Sequence, residues 1–415
     1  MQRPVSSRNI ALYFACQALA ASSASLLAAT SAIVGAMLAP DARLATVPAA
    51  LQQLATFVTT YPASALMVRV GRRAGFSLGA ALGVLGGAAA TLGVVERSFV
   101  LFCAGIALTG GHAGFATFYR FAAVEVAPPE RRERALGWVM SAGVLAAFLG
   151  PWLARHTRDT ESTAFAGSFA ALCAMALLSL GLLQMLGAAA SPSPLPSASP
   201  SASQPARPRA ALRDLLRKPA FSTFAAAGMV SGATMVFVMV ATPLAMAGCH
   251  HDFDATAHVI QWHVLAMFAP SFVTGRLVAR FGATRTVLGG LVLCASAAIA
   301  NASGTSVSHF QIGLILLGLG WNLAFLGVTT AIARMAPEDQ PAAQGLNDVL
   351  VFCAVAIASL IAGVVEQTGG WRVLNLAVLP PLCLVGLALA RRHVTPVPPQ
   401  RVGHSPRWLR RAGHR

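Results

Sequence analysis

Long apolar stretches alternate with short polar segments along the whole chain. Each stretch holds roughly twenty residues with few charges, the length that an α-helix needs to cross the ~30 Å hydrocarbon core of a bilayer. Twelve such spans are predicted, near residues 10–37, 46–68, 75–95, 99–124, 135–154, 164–187, 220–246, 256–278, 285–302, 309–333, 343–365 and 373–390. The pattern therefore predicts an all-α membrane protein with twelve transmembrane helices.

The composition argues against a soluble domain. Of the 415 residues, 56% are hydrophobic and only 11% are charged, whereas soluble domains carry about 25% charged residues. Six of the seven cysteines fall inside predicted spans, and Cys249 lies alone in a loop. We therefore expect no disulfide framework.

One side of the predicted membrane carries most of the positive charge. If both termini are cytoplasmic, 25 of the 30 basic residues lie on that side, and the others are Arg43, Arg97, Arg155, Arg158 and Arg372. Cytoplasmic loops of membrane proteins carry such an excess of arginine and lysine. The net charge of +16 thus indicates orientation rather than nucleic-acid binding. It predicts a multi-pass protein of the cell (inner) membrane with both termini cytoplasmic.

A segment rich in Pro, Ser and Ala divides the spans into six and six. It has no apolar period, which is typical of a linker, and its last part, "ALRDLLRKPAF", predicts a short amphipathic helix on the inner surface. The predicted domains are an N-terminal six-helix bundle at 1–187, a basic cytoplasmic linker at 188–218, a C-terminal six-helix bundle at 219–392 and a basic cytoplasmic tail at 393–415.

The two halves repeat each other. "VRVGRRAGF" at 68–76 returns as "ARFGATRTV" at 279–287, and "VAPPERRERALG" at 126–137 returns as "MAPEDQPAAQGLN" at 335–347. Both matches lie about 210 residues apart. Two such repeats related by an axis along the membrane normal are one plan of secondary transporters, with the substrate site between them near the midplane.

The repeated loop resembles the signature of the major facilitator superfamily, G-x-x-x-D-R-x-G-R-R. The first copy keeps Arg69, Gly71, Arg72 and Arg73 but has Ser64 and Val68 for the first Gly and the Asp, and the second keeps Gly275, Arg280 and Gly282 with Ala279 at the acidic position. The resemblance implies two pseudo-symmetric six-helix bundles and secondary transport of a small solute by alternating access. Gly71 and Gly282 are each expected to supply a tight turn of two to five residues between antiparallel helices.

The resemblance also implies an inner gate, for which the motif normally supplies an aspartate. Because both copies lack it, another acid should act there, and Glu125 and Asp348 lie near the cytoplasmic ends of spans four and eleven. We predict that Asp348 pairs with Arg69 or Arg72 across the two bundles when the protein faces outward. In the alternative interpretation, these arginines only set topology and bind lipid phosphate.

Small residues in span five follow the spacing G-x8-A-x3-G-P-x2-A. They resemble an antiporter motif of the superfamily in which alanine replaces two glycines, and they are Gly137, Ala146, Gly150, Pro151 and Ala154. Small residues at this spacing also let helices approach closely. The motif therefore leaves close packing and antiport both open.

Few polar residues lie within the spans, and such residues are candidates for function. In the superfamily, spans one, four, seven and ten line the central cavity, so the resemblance implies as cavity residues Gln17, His112, Tyr119, Arg120, Trp321 and Asn322. In span eight, Gln261 and His263 cannot face the same way on a straight helix, and Pro270 predicts a kink. His112 either carries a coupling proton or is a neutral side chain hydrogen-bonded between helices.

A loop before span eight gathers residue types that bind metals. They are Cys249, His250, His251, Asp252, Asp254 and His258, but their spacing matches no zinc motif, so we expect a solvated outer loop and no metal site. A metal-collecting role is the open alternative.

Several function classes are unsupported by the motifs. The chain has no phosphate-binding G-x-x-x-x-G-K-[ST] motif, so we do not expect ATP-driven transport. The spans also lack the acids of a Ser/His/Asp or paired-carboxylate site, so we expect neither an enzyme nor a cofactor. We expect the protein to be a monomer. Its expected partners are protons and a neutral, aromatic or weakly anionic solute. Uptake and efflux stay open, and a non-transporting membrane sensor or assembly factor is the alternative class.

The topology can be tested with a reporter fused after Ser201. The charge bias places this residue in the cytoplasm, so we expect the fusion to behave as a cytoplasmic reporter. A fusion in the loop that carries Arg43 serves as the control, because this loop is predicted to lie on the opposite side of the membrane. An extracytoplasmic reporter after Ser201 would contradict the predicted topology.

Overall fold

The computed structural model describes residues 3–159, 163–187, 209–335 and 339–393, which are nearly all helical. The helices of the first half are α1 (Arg3–Leu38), α2 (Val47–Val70), α3 (Arg72–Val95), α4 (Phe99–Ala116), α5 (Tyr119–Val126), α6 (Arg132–Thr157) and α7 (Ala166–Gln184). Those of the second half are α8 (Arg209–Arg217), α9 (Pro219–Gly248), α10 (Phe253–Phe268), α11 (Ser271–Phe281), α12 (Ala283–Ala302), α13 (Val307–Ala333), α14 (Gln340–Ala377) and α15 (Leu379–His393).

The described helices make twelve passes. Nine of them are long and apolar enough to cross a membrane, and the bent pair α10–α11 makes a tenth. One of the nine, Ala342–Arg391, has 50 residues and breaks at Gly370, where φ is 73°, so it contains two passes. The 24-residue α2 completes the set. The predicted all-α membrane fold of two six-helix bundles is confirmed.

Within each half, two helices pack with their backbones in close approach. A Cβ at Gly86 of α3 would lie 2.8 Å from the carbonyl oxygen of Gly105 on α4. In the second half, a Cβ at Gly290 of α12 would lie 2.6 Å from the carbonyl oxygen of Gly320 on α13. Because side chains would separate these backbones, glycine is required at both crossings. The sequence repeat thus extends to packing inside the bundles.

Single glycines join the helices at the repeated motif. Gly71 connects α2 to α3 with φ 86° and ψ 161°, and Gly282 connects α11 to α12 with φ 82° and ψ 160°. This backbone conformation is essentially restricted to glycine. The predicted tight turns are confirmed, although each is one residue long instead of two to five.

The short amphipathic helix predicted before the second bundle is α8. Its Leu215 is buried, and the helix packs against α9 and α14. Just beyond it, Lys218 forms an ion pair with Asp339 at the start of α14. The rest of the predicted linker, 188–208, most of the tail, 394–415, and the repeated Ala336-Pro337 lie outside the described residues.

The pass predicted to kink at Pro270 is bent by 48° between α10 and α11. Asn322 of α13, which is buried, binds both sides of this break. Its Nδ2 donates to the carbonyl oxygen of Met267 and to Ser271 Oγ, each at 2.7 Å, and its Oδ1 accepts from Thr274 Oγ1 at 2.7 Å. Proline has no N–H to continue the helix, so the Asn322 amide replaces hydrogen bonds that the bend removes.

The glycine turns can be tested by replacing Gly71 or Gly282 with alanine. Because a side chain is strained at these φ and ψ values, we expect each variant to lower the free energy of unfolding by about 1–3 kcal/mol. Gly137→Ala is the matched control, because a Cβ at this position of α6 meets open space. Thermal unfolding of the purified variants measures the difference, and equal stability of all three would contradict the assigned strain.

The role of Asn322 can be tested by comparing Asn322→Ala with Thr329→Ala on the same helix. Removing the amide leaves buried partners around the bend without hydrogen bonds, at about 1–3 kcal/mol for each such group. The Thr329 hydroxyl binds only the carbonyl of Phe325 at an exposed position, so its loss should have little effect. If both variants unfold at the same temperature, Asn322 does not stabilise the bend.

Candidate functional site between the two bundles

The halves meet along an interface, called the cleft, whose two ends differ. The end formed by the start of α1, the Gly71 and Gly282 turns and α8 is called the basic end, and the other is called the opposite end. At the opposite end, Thr46 is fully buried and connects the halves. Its Oγ1 donates to the carbonyl oxygen of Leu360 at 3.3 Å and accepts from the N–H of Gly363 at 3.1 Å.

An aromatic cluster also joins the halves at the opposite end. Phe165, just before α7, meets Phe253 of α10 edge to face, with ring centroids 5.1 Å apart. The Arg158 guanidinium lies 5.5 Å from the first ring centroid and 5.4 Å from the second. With Thr46, this cluster closes the cleft at the opposite end.

Deeper in the cleft, aromatic side chains line both halves. Phe57 of α2 stacks on Phe352 of α14 across the halves, with centroids 5.4 Å apart. On α13, Trp321 and Phe325 stack with an interplanar angle of 14°. Gly318 of this helix packs on α10, while Val328 contacts Gly228 of α9. At about 100° per residue, Trp321 and Phe325 fall between these two contact faces, and Trp321 packs on the core of the second half.

The first basic patch is bound within its own half. Arg72 forms an ion pair with Glu125 of α5, in which Nε lies 3.1 Å from Oε2. Arg73 donates to Gln184 Oε1 at 3.1 Å, and Arg69 is exposed. Glu125 lies near the end of α5, so the first patch has an acidic partner for Arg72 although Val68 stands at the acidic position of the motif.

The predicted pairing of Asp348 with Arg69 or Arg72 is not formed in this arrangement. Asp348 Oδ1 accepts instead from Gln344 Nε2 at 2.8 Å and from Asn347 Nδ2 at 3.4 Å. Because the opposite end is closed here, the pairing predicted for the outward-facing state stays a prediction.

The second basic patch makes different contacts. The Arg280 guanidinium lies 5.3 Å from the ring centroid of Phe281. A Cβ at Gly275 would meet open space. The repeat therefore preserves the backbone turn at Gly282, whereas the described residues of the second copy show no counterpart of the Arg72–Glu125 ion pair.

The two histidine candidates lie inside the bundles. His112 is buried, and its Nδ1 is 3.0 Å from the carbonyl oxygen of Gly79 on α3. It borders a cavity of about 20 Å³, which has room for about one water molecule. His263 is fully buried, with Nδ1 2.8 Å from the carbonyl oxygen of Leu314. These contacts favour packing between helices over a position in the cleft.

Of the remaining cavity candidates, some are buried inside a bundle and others are half-buried. Tyr119 is fully buried, with its ring centroid 4.7 Å from that of Phe76 and 6.4 Å from that of Tyr13, and so belongs to the core of the first bundle. Asn322 binds the α10–α11 bend. Gln17 and Gln261 are half-buried.

The small residues of α6 differ in their surroundings. A Cβ at Gly150 would lie 2.6 Å from the Cβ of Ser25 on α1, while Ala146, Pro151 and Ala154 are buried. Gly137 faces open space. Close packing with α1 therefore explains the part of the motif around Gly150, and nothing in the structure explains Gly137.

The Cys/His/Asp loop is used in local structure. Asp252 caps α10 by accepting from the N–H of Ala255 at 2.6 Å, and His251 Nε2 lies 2.7 Å from the carbonyl oxygen of Thr305. His258 accepts from the Trp262 indole at 3.0 Å. In the described part of the chain, no three histidine, cysteine or acidic residues are grouped to hold a metal ion.

Sequence reasoning missed the aromatic residues of the cleft. The predicted cavity residues are polar, apart from Trp321, whereas Phe57, Phe325 and Phe352 look like ordinary lipid-facing residues. The spacing of Trp321 and Phe325, one helical turn apart on a span assigned to the cavity, is the signal that could have identified them.

The chain is similar in sequence to known transporters. The profile of the Major Facilitator Superfamily matches residues 13–247 and 230–413. The riboflavin transporter RfnT of Brucella anthropi is 42% identical over 387 residues, covering 93% of this chain and 96% of that protein. The uncharacterized MFS-type transporter YdeG of Bacillus subtilis is 30% identical over 353 residues, covering 82% and 81%.

Solved structures show the same fold. The human organic anion transporter MFSD10 aligns with a TM-score of 0.66 at 16% identity, covering 93% of this chain and all of that one. An auto-inhibited peptide transporter of the POT family aligns with a TM-score of 0.69 at 12% identity, covering 95% and 98%. Together with the sequence matches over both halves, these likenesses show that the chain belongs to the major facilitator superfamily and is a multi-pass membrane transporter, not an enzyme.

Proposed function

We propose that this protein transports riboflavin across the cell (inner) membrane by alternating access, coupled to protons. The observation that carries the proposal is the 42% identity to a riboflavin transporter, which extends over 93% of the chain. The identity therefore extends over both bundles and the cleft between them and is not confined to one shared motif. With 25 of 30 basic residues on one side, the basic end faces the cytoplasm in this proposal.

The chemistry of the cleft supports a flavin as substrate. Riboflavin is uncharged at neutral pH and consists of a flat aromatic ring system with a hydroxylated chain. Trp321 and Phe325 stack on each other on the helix face that we assign to the cleft, and Phe57 and Phe352 add a second pair. Aromatic side chains bind flat heterocycles by stacking, at about 1–3 kcal/mol for a nucleobase. This agrees with the neutral, aromatic solute expected from the scarcity of charges in the spans.

The contacts between the halves support alternating access. The opposite end is closed by Thr46 and by the Phe165–Phe253 pair, while Val68 and Val349 near the basic end are 68% and 42% exposed. In our proposal this is the inward-facing state. Rocking of the halves breaks the contacts at the opposite end and forms others at the basic end, among them the predicted Asp348 pairing. A gradient biases the cycle because the two states differ in their contacts.

The proposal predicts riboflavin flux into proteoliposomes that hold the purified protein and an imposed pH gradient. We expect Trp321→Ala to weaken apparent riboflavin affinity by about 5- to 100-fold through lost stacking. Trp262→Ala is the matched control, because Trp262 lies two residues, about 200°, from Ile260, whose side chain packs on the first bundle. Riboflavin fluorescence measures the flux.

Three outcomes would contradict parts of this proposal. Wild-type protein that moves no riboflavin under any gradient would contradict the substrate. Flux that persists unchanged with a protonophore would contradict proton coupling. Equal loss in the Trp321 and Trp262 variants would remove Trp321 from the substrate site.

A further inference from the structure

A groove between α1 and α6 lies at the basic end, apart from the residues assigned to the cleft. It has a volume of about 400 Å³, within the range of sites that hold small molecules, about 300–1,000 Å³. The residues that line it recur three or four positions apart on each helix, so each helix presents one face to it. They include Ile10, Ala11 and Phe14 of α1, Arg134 and Trp138 of α6, and Arg131 just before α6. This cavity is called the α1–α6 groove.

The groove is basic at one end and aromatic at the other. Arg134 lies four residues before Trp138, which at 1.5 Å per residue is about 6 Å nearer the start of α6, and Arg131 lies further in the same direction. Trp138 meets Phe14 of α1 edge to face, with ring centroids 5.7 Å apart, and is 57% exposed. A ligand that fills the groove therefore needs an anionic group beside an apolar part.

Both arginines keep their hydrogen-bonding capacity for a ligand. Each is exposed, and neither forms an ion pair with an acid in the described part of the chain. The neighbouring acids Glu130 and Glu133 are exposed as well, but neither carboxylate lines the groove. Arginine presents a planar fork of donors that matches the oxygens of a phosphate group. The charge in the groove is therefore complementary to a phosphate.

The aromatic end continues into an exposed apolar stripe. Leu145 and Trp152 of α6 are each 47% exposed, and at about 100° per residue they lie within about 40° of Trp138. Gly143 of the same helix approaches the ring of Phe268 in the second half, and it lies about 140° from Trp138. The stripe therefore faces away from the second half, and an exposed apolar face of a membrane-spanning helix meets lipid.

The occupant that fits a basic end and a lipid-facing apolar end is itself a lipid. We propose that the α1–α6 groove binds an anionic phospholipid, with its phosphate group on Arg131 and Arg134 and one acyl chain along Phe14, Trp138 and the exposed stripe. Basic pockets between transmembrane helices on the cytoplasmic side hold anionic headgroups in this way. A free phosphate compound would use the arginines but leave the aromatic end uncovered, and a zwitterionic lipid would bring its own cation to the arginines.

The lipid site is separate from the transported solute. Since α1 and α6 both belong to the first half, the bound lipid joins two helices of one bundle and moves with that bundle when the halves rock. We therefore expect lipid binding to be the same with and without riboflavin. A result on the lipid thus does not bear on the proposed substrate.

The test compares binding of phosphatidylglycerol and phosphatidylcholine with the same acyl chains to the purified full-length protein by native mass spectrometry. Each arginine near a membrane surface favours an anionic lipid, so we expect wild-type protein to bind phosphatidylglycerol about 5- to 30-fold more tightly. The double variant Arg131→Gln and Arg134→Gln should reduce this preference to about twofold or less. Trp138→Ala should weaken both lipids and leave their ratio unchanged, because it removes apolar contact alone.

The double variant Arg213→Gln and Arg217→Gln is the matched control. These two arginines are exposed one turn apart on α8, so their loss removes the same charge and should leave the preference at the wild-type value. The double variant Arg131→Lys and Arg134→Lys keeps the charge of the groove and should retain most of the preference.

Four outcomes would overturn the inference. They are binding of neither lipid or equal binding of both by wild-type protein, a preference that survives when Arg131 and Arg134 are both glutamine, an equal loss in the α8 control, and displacement of phosphatidylglycerol by an equal concentration of glycerol phosphate. The last outcome would assign the groove to free phosphate compounds instead of a lipid.

Discussion

Close approach of helix backbones is the constraint on which this structure depends. In a bilayer, lipid tails are as apolar as leucine, so burying apolar surface does little to bring helices together. Contact must come from packing and hydrogen bonds, and the Gly86–Gly105 and Gly290–Gly320 crossings provide it in both halves. Each bundle is thereby fixed internally. Between the bundles the approaches are to side chains, since a Cβ at Gly143 would meet the Phe268 ring at 2.8 Å and a Cβ at Gly363 would meet Thr46 Oγ1 at 2.8 Å.

Polar side chains stabilise each bundle at points that helix packing does not satisfy. Asn322 replaces the hydrogen bonds lost at the α10–α11 bend, and the Arg72–Glu125 pair fixes the end of α5 beside the Gly71 turn. The Asn322 hydrogen bonds lie within the second half, and the Arg72–Glu125 pair lies within the first. Several polar residues that the sequence suggests for substrate binding therefore have their partners within the same bundle.

The sequence predicts the fold far better than the site. Span length, the Gly71 and Gly282 turns, the Pro270 bend and the amphipathic α8 each follow from local chemistry, and the structure contains all of them. Burial of a polar residue requires a partner but does not identify it, so the sequence does not show that His112, His263 and Tyr119 have partners within one bundle. The Arg72–Glu125 pair joins residues 53 positions apart, and only the packing of α5 beside the turn brings them together.

The lock at the opposite end has a chemical property that follows from its composition. The described contacts that join the halves there use a threonine hydroxyl, peptide groups, two phenylalanine rings and the guanidinium of Arg158. None of these gains or loses a proton in ordinary media, since arginine stays charged at all accessible pH values. The contacts that join the halves at this end therefore do not depend on the protonation of their own groups, although the Arg158 guanidinium also pairs with the Asp159 carboxylate, with Nε 3.4 Å from Oδ1.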